Sequence, residues 1–383
     1  MSKPLPLFLT SLSLSSKSAL GVQTKLILEQ FPNSRHLFWD ASEFSNFDKR
    51  SARIESLLCA RFSILRGNPH SLKAKVLSVL GRSWWKDNEL RPEAQQWLSH
   101  HYGNTTSVVY ASPASIRDCE RMMSILIRLD RPFVLHLWDI QDSNQMDSAA
   151  FRWLLARALH VFCLTQEMIR SIHPLQQDSS ILLFTRVPSA CTAEAPKGSD
   201  FRIALIGNCR RYRDGLLLLK KALSRISSTG LAPTIVYVGS NKSYRNLEID
   251  LGCNTEIAGF VESDSRRDCL LSRCHVGFLP GPLASPAANM FSRYSIPSRI
   301  LDYLATGLPV LAAVHPDSAT CGFLCDLGMR DCMVKDSEAE LADKIFALSD
   351  TNAWSTASRL SLAAFDSARE QGSTLRTYIE PAP

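Results

Sequence analysis

Short apolar runs rich in β-branched and aromatic residues recur along this chain, and segments of helical spacing fill the gaps between them. The first half carries Leu5–Leu12, "RHLFWDA" (Arg35–Ala41), "TSVVYAS" (Thr106–Ser112), "PFVLHLW" (Pro132–Trp138), "HVFCLT" (His160–Thr165) and "SILLFT" (Ser180–Thr185). Helical spacing covers Val22–Phe31 and much of residues 48–101. The second half repeats the alternation. Its strands are "FRIALIGN" (Phe201–Asn208), "PTIVYVGS" (Pro233–Ser240), "TEIAGFV" (Thr255–Val261), "HVGFLPG" (His275–Gly281) and "PVLAAV" (Pro309–Val314). Its helices are Gly215–Ile226, Asp264–Arg273, Glu338–Leu348 and Thr351–Glu370. This pattern predicts an α/β protein with doubly wound parallel sheets, helices on both faces. Between the two series, "PSACTAEAPKGSD" (188–200) lacks apolar periodicity and reads as a linker. The expected organisation is one domain over residues 1–187, a linker over 188–200, a second domain over 201–350, and a C-terminal helix and tail over 351–383 able to cross back to the first domain.

With 45% hydrophobic and 21% charged residues, a chain of 383 residues can bury two such cores. Its net charge of +6 is too small to indicate nucleic acid. It fits an anionic small ligand, or a peripheral contact with an acidic membrane surface, for which the basic, Trp-containing stretch Ser71–Lys86 is the candidate. The 11 cysteines form no Cys-x-x-Cys pair, and Cys321, Cys325 and Cys332 near His315 lack zinc-site spacing, so no metal is expected. Loose cysteine usage suits a reducing cytosol. No apolar run approaches a membrane span. Thr10, Ser11 and Ser13 interrupt the Leu-rich start, which reads as a first strand followed by a Ser/Gly loop rather than a signal peptide.

The most informative stretch is "YSIPSRILDYLATGLPVLA" (Tyr294–Ala312). Ser295 or Ser298 can cap a helix, Pro297 suits its first turn, and Ile300, Leu301, Leu304 and Ala305 face a core. Gly307 ends the helix in a left-handed conformation. Arg299 and Asp302 lie off the apolar stripe. They read either as a surface pair or, just after a strand of a parallel sheet, as an anion-binding cation beside a carboxylate suited to hydroxyls.

This stretch resembles the donor-binding motif of GT-B glycosyltransferases, especially those similar to glycosyltransferase family 4. "IALIGN" with "CRRYRDG", "IVYVGS" and "IAGFVESDSRRDCLLSRCHVGFLPG" are similar to further family segments, in the family's order, over residues 201–350. The resemblance implies two Rossmann-like domains facing a cleft, with a nucleotide-diphosphate sugar as co-substrate and no other cofactor. By position, Ser298 and Arg299 would meet the diphosphate, with Ser295, Ile296 and Pro297 beside them, and Asp302 would meet the ribose. Gly207 and Asn208 would approach the phosphates, Arg210 and Arg213 would neutralise them, Phe260 and Val261 would lie near the base, and Pro280 and Gly281 would complete the donor site. The absence of an Asp-x-Asp triplet fits a metal-independent, retaining transfer to a glycan or lipid-linked acceptor. The sequence departs from the motif at Tyr294, where Glu is common, and at Arg299 and Asp302, where Lys and Glu are common.

In the first half, His136 ends a strand and Asp139 follows. The resemblance makes His136, with Asp139, the candidate catalytic pair, while a strand-end His satisfied by backbone is the plainer reading. Lys17 and Gly21 lie in the loop after the first strand and are acceptor-side candidates. Ser112 and Ser115 read as helix caps. The alternatives to a transferase are a catalytically silent nucleotide- or glycan-binding module and a nucleotide-sugar epimerase.

Overall fold

The computed structural model describes residues 4–10, 27, 30–31, 34–38, 54–56, 85–86, 89–90, 95–96, 98–113, 115–138, 140, 143–182, 190–198, 200–209, 212–245, 249–261, 263–286, 290–371 and 374–379. The chain divides into two compact units, Met1–Phe184 with Gly372–Pro383, and Thr185–Gln371.

The first unit runs β1 (Leu5–Thr10), β2 (Arg35–Phe38), β3 (Ile54–Ser56), a separate antiparallel pair β4 (Trp85–Lys86) and β5 (Glu89–Leu90), then β6 (Thr106–Ser112), α1 (Ile116–Leu129), β7 (Phe133–Leu137), α2 (Ser143–Asp147), α3 (Ala149–Arg157), β8 (His160–Cys163), α4 (Gln166–Ile172) and β9 (Ser179–Ile181). Seven strands form one parallel sheet in the order β3-β2-β1-β6-β7-β8-β9. β7 and β8 are buried along their whole length, which is why they read as unbroken apolar runs rather than alternating ones. Ser115 caps α1 by accepting from the Asp118 amide at 3.2 Å, and Cys119, Met122, Ile125, Leu126 and Leu129 form its buried stripe. β3, β4 and β5 fall where helix was expected. Three- and two-residue strands are too short to show a period of two, so tertiary pairing decides them.

The second unit runs β10 (Arg202–Ile206), α5 (Arg213–Ile226), β11 (Thr234–Val238), α6 (Asn241–Arg245), β12 (Thr255–Ile257), α7 (Asp264–Leu271), β13 (Val276–Pro280), α8 (Met290–Tyr294), α9 (Arg299–Ala305), β14 (Val310–Ala313), α10 (Ala319–Asp326), β15 (Met333–Val334), α11 (Glu338–Ala347) and α12 (Thr351–Gln371). Its six strands are parallel in the order β12-β11-β10-β13-β14-β15. That is the doubly wound order, with its switch point between β10 and β13, where the connections turn to opposite sides and a crevice opens at the carboxyl ends of the strands. Leu205, Leu219, Tyr237, Phe278 and Ile345 belong to the core on one face of this sheet.

The segment read as a linker packs on the second unit. The Ala193 amide donates to Thr306 O at 2.8 Å and the Glu194 amide to Ser272 O at 3.3 Å. A Pro/Ala-rich stretch without periodicity can still satisfy its backbone on a neighbour. α12 also belongs to the second unit, where the Trp354 indole donates to His275 O at 2.6 Å. The last helix, α13 (Leu375–Ile379), belongs to the first unit, where Leu375 and Ile379 join Phe8, Tyr110 and Phe162 in one core cluster.

Candidate functional site

β10 ends at Ile206, and Gly207 turns the chain with φ +78°, a left-handed conformation that favours glycine. The Gly207 amide donates to Val238 O at 2.9 Å, and its carbonyl accepts from the Tyr237 hydroxyl at 2.7 Å. The turn that leads into α5 is therefore held from β11. Asn208 is exposed there, Cys209 is buried, and Arg213 is exposed at the first position of α5. The residue before that helix, Tyr212, supplies no side-chain cap to the first-turn amides.

Arg299, the first residue of α9, reaches across to this turn. It is only 8% exposed. Its Nη1 donates to Ile206 O at 2.7 Å and to Cys209 Sγ at 3.0 Å, and its guanidinium carbon lies 4.7 Å from the centre of the Tyr212 ring. None of these partners is an anion. Burial pushes the Cys209 thiol up, with Arg299 pulling the other way, and burial likewise raises Tyr303, so both are neutral. Among the described residues no carboxylate pairs with Arg299, since Asp302 is engaged by Arg267 Nη2 at 2.9 Å. Arg267 also binds Asp264 of its own helix at 2.7 Å, and its bond to Asp302 ties α9 to α7. A buried cation without a counter-ion is costly, by several kcal/mol even after relaxation.

Tyr303 holds the switch point. β10 and β13 pair only at Ile203↔Val276 and Ala204↔Gly277. Beyond that register the Tyr303 hydroxyl accepts from the Ile206 amide at 3.1 Å and shares its proton between Phe278 O at 3.2 Å and Ala204 O at 3.3 Å. Gly277 leaves room for the ring, because a Cβ there would stand 2.5 Å from Tyr303 Cγ.

The other expected donor residues gather at the same carboxyl edge of this sheet. Pro280, Gly281, Ser295 and Pro297 line one concavity with Tyr212 and Thr320. Gly281 has no space for a side chain, since a Cβ would lie 2.8 Å from Ala313 O. Ile296 and Ser298 are half-buried beside it. Ser298 stands at the cap position of α9 with helical dihedrals and makes no side-chain cap bond, and Gly307 beyond the helix has φ +67°. Phe260, 47% exposed, and the buried Val261 follow β12 at this edge. Arg210 lies outside the described residues, as do Asp139, Lys17, Gly21 and the basic stretch Ser71–Lys86 apart from Trp85 and Lys86.

His136 is placed differently from the expectation of an open catalytic side chain. It has no solvent exposure. Its ring lies 4.2 Å from that of Trp138, and Nδ1 shares a hydrogen bond with the Tyr110 hydroxyl at 2.5 Å. Both faces of β7 are covered, so even a strand-end His is core. Burial pushes its pKa from 6.5 down to about 3. The unfolded chain therefore takes up a proton below about pH 6.5 that the folded chain refuses until about pH 3, and stability falls with pH across that window by roughly 1.4 kcal/mol per unit. His136→Gln is expected to flatten the fall in melting temperature between pH 7 and pH 5. An acid limb identical to that of the unsubstituted protein would contradict this burial.

Cys209, Tyr212, Tyr303 and Arg267 were not among the residues expected at the site. All four sit inside the quoted motifs, but contacts such as that of Arg299 with Cys209, 90 residues away, leave no local signal. Among the described residues no group of three or more His, Cys, Asp or Glu is arranged to hold a metal, and no helix is long and apolar enough to cross a membrane.

Anabaena HepE, solved with UDP and glucose, matches 99% of this chain and 100% of its own, with a TM-score of 0.65 and 12% identity. The chain has the GT-B fold. Two further GT-B structures agree. The trehalose 6-phosphate synthase of Burkholderia multivorans covers 99% of this chain and 96% of its own (TM-score 0.60, 7% identity). The lipopolysaccharide outer core galactosyltransferase WaaB covers 97% and 99% (TM-score 0.54, 11% identity). No protein-family model matches the chain, and no curated protein matches it.

Proposed function

We propose that this protein is a glycosyltransferase that takes a sugar from a nucleoside-diphosphate sugar and passes it to a hydroxyl of a glycan or lipid-linked acceptor. The observation that carries the reading is Arg299, a buried guanidinium whose neighbours are a carbonyl, a thiol and an aromatic ring. A diphosphate would supply the missing negative charge. The UDP and UDP-glucose complexes of HepE, and the thymidine diphosphate complex of the rhamnosyltransferase SpnG, support that ligand class.

Departure of the nucleoside diphosphate develops negative charge on its terminal phosphate. Arg299, Arg213 and the first-turn amides of α5 are cationic or positively polarised groups fixed before the reaction, and such groups lower the barrier most where water is excluded. Ser298 would donate to a phosphate oxygen, and Asp302, steadied by Arg267, would accept from the ribose hydroxyls. Phe260 offers an exposed ring to the base. In this reading no metal is required and the anomeric configuration is retained. The second reading, a binding module without turnover, is favoured by the burial of His136, which removes the expected base from substrate.

Release of nucleoside diphosphate from UDP-, GDP-, ADP- and TDP-sugars tests both readings. The transferase reading predicts release from one nucleotide class, accelerated by a glycan acceptor and unchanged by a metal chelator. Loss of release on chelation would overturn metal independence, and tight binding with no release from any donor would select the binding module.

A further inference from the structure

Cys191 and Cys269 are 78 residues apart in sequence, and their sulfurs lie 3.0 Å apart. Cys191 is in the segment leading into β10, and Cys269 is on α7. Most other described thiols are secluded. Burial pushes Cys119, Cys163 and Cys274 up to about 12, which makes them poor nucleophiles. Cys269 is exposed and Cys191 is half-exposed. A disulfide needs its sulfurs at about 2.05 Å, so closing this pair takes roughly 1 Å of side-chain movement.

We propose that Cys191 and Cys269 are a reversible thiol–disulfide pair, oxidised by low-molecular-weight disulfides, that fastens the segment leading into β10 onto α7. The Cys269 thiolate attacks one sulfur of the small disulfide. That S–S bond breaks, one small thiolate leaves, and a mixed disulfide stays on Cys269. The Cys191 thiolate then attacks Cys269 Sγ and expels the second small thiolate. Two electrons and two protons pass from the protein pair to the small disulfide, which becomes two thiols. The bond closes a loop that holds β10, α5, β11, α6, β12 and most of α7. The segment is also held by the bonds from Ala193 N to Thr306 O and from Glu194 N to Ser272 O. This pair does not depend on the nucleotide reading, because neither cysteine belongs to the donor site.

The test is incubation of the full chain with oxidised glutathione, followed by intact mass, peptide mapping and thermal melting, with Cys191→Ser and Cys269→Ser alongside. The expected product has lost two hydrogens, carries a Cys191–Cys269 cross-linked peptide, and melts about 5 °C or more higher, since closing a long loop constrains the unfolded chain. Dithiothreitol reverses all three changes, and neither variant shows the shift. Glutathione retained on Cys269 without a cross-link, a cross-link between other cysteines, or no reaction would each overturn the proposal.

Discussion

Arg299→Met is expected to weaken nucleoside-diphosphate binding about a hundredfold or more while leaving the melting temperature of the ligand-free protein within a few degrees of its original value. The two effects have different origins. A charge-assisted hydrogen bond to phosphate is worth roughly 1.5–3 kcal/mol, and about 2.7 kcal/mol is a hundredfold in affinity. In the absence of ligand, the Arg299 residue is 8% exposed and has no counter-ion among the described residues, so its desolvation is a standing cost. Met keeps much of the packing against Tyr212 and removes that cost. It gives up the bonds to Ile206 O and Cys209 Sγ and the cation–π contact, worth about 2–5 kcal/mol together. Gain and loss are similar in size. A melting temperature down by ten degrees or more, with nucleotide affinity intact, would mean that Arg299 is a structural residue and the site lies elsewhere. Thermal melting and titration calorimetry on the same preparation separate the outcomes.

Gly277→Ala is expected to produce the largest loss of stability among single-methyl additions in the second unit. The new Cβ would lie 2.5 Å from Tyr303 Cγ and 2.7 Å from both Cδ atoms. The ring is fully buried and its hydroxyl is fixed by Ile206, Ala204 and Phe278, so it cannot swing away without leaving those backbone groups unpaired. Overpacking costs about 1–3 kcal/mol, and a buried amide left without its partner costs about as much again. Together these lower the melting temperature by roughly 5–20 °C. Tyr303→Phe, which keeps the ring and removes the hydroxyl, should cost only the second part. A Gly277→Ala protein that melts with the original would show that the Tyr303 ring does not fill the space over Gly277 as described.

The central strands of both sheets were legible because they are covered on two faces and so appear as continuous apolar runs, as in "IVYVGS" and "PFVLHLW". β3 and β15, of three and two residues, carry no such run and exist because neighbouring strands offer them ladders. α10 was not foreseen for another reason. "ATCGFLCD" has no polar face to set against its apolar one, and most of it is buried. Within the candidate site, Gly307 was legible because a left-handed turn demands that residue type, while Gly207 entered only through the family resemblance, and its left-handed turn was not foreseen. Arg299 was legible as a cation but not as a buried one, since its burial comes from Tyr212 and Cys209 on a distant turn. His136 shows the converse. Its place at the end of a strand suggested access to substrate, and only the packing of Trp138, Tyr110 and Phe162 around it makes it a core residue.

The measurement closest to the central claim is a calorimetric titration of the purified chain with UDP, GDP, ADP and TDP, each repeated on Arg299→Met. The account predicts that one diphosphate binds selectively, with its affinity reduced about a hundredfold or more in the variant. Equal affinity in both proteins, or no binding by any diphosphate, would contradict a donor site at the carboxyl edge of the second sheet.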